Sequence, residues 1–87
     1  MKITKQTVAD KLLNYLQHKI TLPQLVDWAE NSMMDAEFEA KERKLLVDIV
    51  SRIGVADVKA FGIMWEDCEA FLKKLGYKVK IDFSKVA

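Results

Sequence analysis

Residues 64–83 read MWEDCEAFLKKLGYKVKIDF, a run in which one periodicity hands over to another. Met64, Cys68, Phe71, Leu72 and Leu75 recur at i, i+4, i+7, i+8 and i+11, the spacing that lines one side of a 3.6-residue helix. Gly76 then supplies the left-handed residue that commonly closes such a helix. Beyond it Tyr77, Val79, Ile81 and Phe83 alternate with Lys78, Lys80 and Asp82, which predicts a strand over 77–83 with one buried and one wet face. A single strand cannot satisfy its own backbone, so a partner is expected. Lys2-Ile3-Thr4 and Lys59-Ala60-Phe61 are the intramolecular candidates. The third is the same strand of another molecule, related by a two-fold axis. Lys78 and Lys80 suit an edge guarded against indiscriminate pairing, which favours pairing within the chain over a strand-paired homodimer.

Working back toward the N-terminus, Leu46, Ile49, Val50 and Ile53 repeat at helical spacing and Gly54 reads as their stop. Between Gly54 and Ile63 the pattern decides nothing: Val58-Lys59-Ala60-Phe61 fits a helical turn or an extended piece equally well. Met34 to Arg43 is mostly charged with Phe38 as its one aromatic, and reads as a loop or frayed turn. Thr21 with Gln24 has the capping-box spacing for a helix in which Pro23 is tolerated in the first turn, although Leu22 could be the cap instead. Its buried stripe is Leu22, Leu25, Val26, Ala29 and Met33, with Trp28 on a flank. Thr4 caps the first helix, whose apolar side is Val8, Ala9, Leu12, Leu13 and Leu16. Ser84 to Ala87 reads as a loose tail. The expected fold is therefore one mostly α domain spanning residues 1–87, four helices with a C-terminal β-strand.

An apolar content of 51% in 87 residues suits a single small core. Lys plus Arg number 14 against 13 Asp plus Glu, so no general attraction to nucleic acid or anionic membrane is expected. One cysteine allows no internal disulfide, the opening MKITKQTVADK lacks the apolar run of a signal peptide, and no uncharged apolar segment of about 18 residues occurs. These absences make a cytoplasmic protein the expectation.

Few side chains offer chemistry. His18, the only histidine, lies nearly opposite the apolar stripe of the first helix and reads as a solvated residue near its C-terminus. Cys68 sits in the middle of an apolar stripe, where a thiol behaves as a small hydrophobe rather than a nucleophile. Glu66, Asp67 and Glu69 match no metal or paired-carboxylate template, and acidic groups in a first helical turn are explained by the helix dipole. No phosphate-binding glycine loop or nucleophile elbow is present. An enzyme is not expected, nor a cofactor or metal. A helix-turn-helix reading of the first two helices fails on the segment directly after them, since Asp35, Glu37, Glu39 and Glu42 would repel phosphates.

Charge is unevenly spread along the chain. From Asp27 to Glu42 six acidic residues stand against Lys41 alone, whereas from Phe71 onward five lysines oppose only Asp82. Trp28, Met33, Met34 and Phe38 interleave with the acidic run, and aromatic and Met side chains beside charge characterise protein-binding surfaces. Asp27, Trp28, Glu30, Asp35, Glu37, Phe38 and Glu39 are thus the candidate partner-binding residues.

ITLPQLVDWAE (20–30), the Ile49 to Gly54 helix end and FGIMWEDCEAFLKKLGYKV (61–79) together resemble a group of small bacterial proteins of about this length without assigned function. In addition ADKLLNYLQHKITLPQLVDWAE (9–30) is similar in layout to the first two helices of immunity proteins that neutralise tRNA-cleaving colicins. That resemblance implies a small, acidic-faced helical inhibitor and no particular site residue. The expected function is a non-enzymatic protein-protein interaction module, immunity- or antitoxin-like, that takes a basic protein partner. The alternative is a small regulatory nucleic-acid-binding protein acting through the Lys-rich C-terminal segment.

Overall fold

The computed structural model describes residues 2–57 and 62–78. Within them the chain is mostly helical, in the order β1 (Lys2–Ile3), α1 (Lys5–Leu16), α2 (Leu22–Asp35), β2 (Glu37–Phe38), a 3-10 turn (Ala40–Glu42), α3 (Arg43–Gly54) and α4 (Trp65–Lys74). Two helices open on reciprocal threonine caps. At α1 the Thr7 N–H donates to Thr4 Oγ1 and the Thr4 N–H to Thr7 Oγ1, both at 3.2 Å. At α2 the Gln24 N–H donates to Thr21 Oγ1 at 3.3 Å while the Thr21 N–H donates to Gln24 Oε1 at 2.8 Å, and Pro23 lies in the first turn. Each box satisfies donors that the helix leaves open. Thr21, not Leu22, is therefore the cap of α2.

The closures of α1 and α4 share one hydrogen-bond pattern. At α4 the Gly76 N–H donates to Lys73 O at 3.1 Å and the Tyr77 N–H to Leu72 O at 2.8 Å, with Gly76 at φ 93°. At α1 the His18 N–H donates to Tyr15 O at 3.1 Å and the Lys19 N–H to Asn14 O at 2.8 Å, with His18 itself at φ 61°. Both are Schellman closures, the second with an L-residue where glycine is usual.

The helices pack through their apolar stripes, with α2 against α3 as the most extensive pair and α1 touching α2, α3 and α4. Val8, Leu12, Leu25, Val26, Ala29, Leu46, Ile49, Val50, Ile53, Cys68, Leu72 and Leu75 fill the interior. Burying each of the larger aliphatic side chains contributes about 1.5–3 kcal/mol by area. Ser32 is also fully buried, and its Oγ has no hydrogen-bond partner among the described residues.

The sheet differs from the one expected. Lys2 and Ile3 pair in parallel with Glu37 and Phe38, and the Glu39 N–H donates to Ile3 O at 2.9 Å. The stretch from Met34 to Arg43, expected to be a loop or frayed turn, instead ends α2, forms β2 and turns through the 3-10 segment into α3. Ile3 is fully buried and Phe38 nearly so, which explains the pairing: two side chains from distant parts of the chain enter the same core and bring their backbones into register. Of the expected strand at 77–83, Tyr77 and Lys78 are not in a strand, and 79–83 lie outside the described residues, as does the candidate partner Lys59-Ala60-Phe61. Three stripe assignments also change. Leu13 is 45% exposed, Met33 43% and Met64 65%. Met33 yields its place to Ser32, which lies toward the centre of the buried face, and Met64 precedes α4 in an extended conformation rather than joining it.

After Gly54 the chain turns through 55–57. The Arg52 guanidinium ties the return to α4: Nη2 donates to Gly62 O at 3.1 Å and lies 4.0 Å from Asp67 Oδ2, the same oxygen that accepts the Met64 N–H at 2.9 Å.

Candidate functional site

Helix α2 turns Leu25, Val26, Ala29 and Ser32 to the core, and a 3.6-residue period then leaves Asp27, Glu30, Asn31 and Met34 on the opposite side, all exposed. Asp27, Glu30 and Met34 follow at i, i+3 and i+7, one stripe along the helix. Met34 is 77% exposed, an apolar side chain between carboxylates. Asp35 ends the helix on the neighbouring side.

These carboxylates do not serve the helix that carries them. α2 has no acidic residue in its first turn and no basic residue in its last, where Asp35 stands instead. A carboxylate at a helix C-terminus faces the negative end of the dipole and forgoes about 0.3–1 kcal/mol relative to a cation there. Nor do they pair along the helix. The residues four away from Asp27 are Pro23 and Asn31, and those four from Glu30 are Val26 and Met34. Among the described residues the ion pairs are Lys5–Glu42 at 3.6 Å and Arg52–Asp67 at 4.0 Å, neither of which includes Asp27, Glu30, Asp35, Glu37 or Glu39. Glu42, counted with the acidic run by sequence, is thus matched by Lys5.

Of the two aromatics of the candidate set, Phe38 departs from the surface role assigned to it and Trp28 keeps the flank position expected. In Glu37-Phe38-Glu39 the period of two sends Phe38 inward, 7% exposed, with Glu37 exposed and Glu39 half-buried. Phe38 is therefore a core residue that anchors β2, and it is withdrawn from the surface. Trp28 is half-buried against the core on the α1 side of α2, where Lys11 Nζ lies 5.8 Å from its ring centroid, a cation–π arrangement. The structure thus gathers Asp27, Glu30 and Met34 on α2 and puts Glu37 on the solvent side of β2. Asp35 falls between them in sequence, and Trp28 forms a covered flank. The period of two at 37–39 was the available signal for Phe38.

Other groups with chemical potential are accounted for by the fold. Cys68 is fully buried in the core, and burial, with the Asp67 carboxylate adding to it, pushes its thiol from 9.0 up to about 11. It is thus protonated at neutral pH, the poor-nucleophile state. His18 is exposed at the end of α1. Glu66 and Asp67 occupy the first turn of α4, at the end of the dipole that favours them. Among the described residues no group of three or more His, Cys, Asp or Glu side chains is arranged to hold a metal ion. No helix among them is long and apolar enough to cross a membrane.

No protein-family model, curated protein or solved structure matches the chain.

Proposed function

We propose that the chain is a non-enzymatic protein-binding module, an immunity- or antitoxin-like inhibitor, that engages a basic protein partner through the exposed acidic side of α2 and β2. Asp27, Glu30, Asp35 and Glu37 supply the negative field, and Met34 supplies apolar contact between the carboxylates. The observation that supports this reading is the placement of α2's charges: Asp27 and Glu30 have no oppositely charged residue four away along the helix, and Asp35 in the last turn stands against its dipole, so the helix's own stability does not account for them. Complementary charge of this kind speeds encounter and selects partners by sign. The proposed setting is the cytoplasm.

The test is affinity capture with the intact chain and with an Asp35→Lys/Glu37→Lys/Glu39→Lys variant, followed by identification and salt titration of the retained protein. A basic protein held by the native chain, released by salt and lost with the variant, is the expected result. Equal retention by both chains across the salt range removes the acidic side from the mechanism. The alternative, a nucleic-acid binder working through the C-terminal segment, draws on exposed Lys73, Lys74 and Lys78 beside exposed Tyr77. Binding of an oligonucleotide that weakens steeply with salt would favour it.

A further inference from the structure

On the flank of α1 away from Trp28, an apolar groove separates α1 from the closing turn of α4. Leu13 and Leu16 form one wall, Leu72 and Tyr77 the other, and Asp10 and Lys78 lie at its rim. Leu13 is 45% and Tyr77 42% exposed, one large apolar side chain on each wall. Asp10 and Lys78 belong to neither the Lys5–Glu42 nor the Arg52–Asp67 ion pair. We propose that this groove is a self-association surface, closed by a second copy of the chain about a two-fold axis. Leu13 enters the partner molecule's groove, and Asp10 at the rim meets the partner's Lys78.

The argument for a second copy is the self-complementary make-up of the patch. A two-fold contact places the same surface on both sides, so the surface must carry its own complement. Here one patch holds a projecting side chain, a recess, a carboxylate and an ammonium. A foreign basic partner is matched by a rim of one sign, as on α2, and a neutral helix by no charge at all. The Lys11 side of α1 faces Trp28 of α2 while its Leu13 side faces α4, so the groove and the acidic stripe occupy separate flanks. Association at the first leaves the second open. The proposal stands independently of the acidic-side reading, since no residue is shared between them.

Sedimentation analysis of the full chain over a wide concentration range tests it. The expected result is a mass rising from 10.0 kDa toward twice that value. Leu13→Glu holds the chain at the lower mass, with circular dichroism confirming that it folds. Asp10→Lys and Lys78→Asp each weaken association about tenfold, and an equimolar mixture of these two variants restores it, because each rim then complements the other. That mixture keeps the test informative if Leu13→Glu fails to fold. A native chain that stays at 10.0 kDa at the highest concentration overturns the proposal; it is the outcome expected if the chain's own continuation past Lys78 covers the groove. So does a mixture that associates no better than either variant alone.

Discussion

Helices α2 and α4 treat charge in opposite ways. α4 opens with Glu66 and Asp67 in its first turn and ends with Lys73 and Lys74 in its last, so every one of these charges complements the helix dipole. α2 has neither, and closes on Asp35. Their ends differ as well: α4 stops on Gly76 at φ 93°, while α2 runs straight into extended Ala36 at φ −83° and on to β2. The end charges of α4 favour α4 itself, whereas the one end charge of α2 does not favour α2. That contrast separates a helix whose end charges suit its dipole from one whose terminal carboxylate opposes it.

The sharpest way to break the contrast is at the closing turn of α4. Gly76→Ala should destabilise the fold by about 1–2 kcal/mol, because an L-residue there takes on left-handed strain. A Cβ at Gly76 would meet nothing within 4 Å, so the loss reports backbone conformation alone. A lower denaturation midpoint with an unchanged m-value would show it. Next comes the start of α2, where Thr21→Ala should cost about 1 kcal/mol by removing the acceptor for the Gln24 N–H, read by the same titration. Smaller still are the charge swaps. Asp35→Lys should stabilise the protein by about 0.3–1 kcal/mol, and Lys74→Glu should destabilise it by a similar amount. Both effects should shrink as salt is raised. If Asp35→Lys instead weakened the native chain, Asp35 would have a structural role and the contrast between the two helices would fail.

All four helices were legible in the sequence because each carries its own local signals. Thr4, and Thr21 with Gln24, mark two starts, and the 3.6-residue recurrence of Leu, Ile and Val marks the stripes. Of the sheet, Lys2-Ile3-Thr4 was among the candidate strands, but local pattern could not show its partner at Glu37–Phe38. A strand of two residues has no period to detect, and the Ile3–Phe38 register arises only once both side chains have found the same core. Ser32 was passed over because it is polar, although its helical position put it inside and left Met33 half out. The left-handed residue at His18 was hidden because the usual glycine signal is missing there. As for the candidate site, the acidic run could be counted directly. Its division into Asp27, Glu30, Asp35 and Glu37, which join no ion pair among the described residues, and a matched Glu42 depended on Lys5, which is far away in sequence.

The left-handed backbone at His18 also has a practical side. This corner is solvent-facing and belongs to neither the acidic stripe nor the α1–α4 groove, so its identity can be altered without touching either. Relieving it with glycine would give a sturdier parent chain. Substitutions too disruptive for the native sequence to bear could then be compared on equal footing.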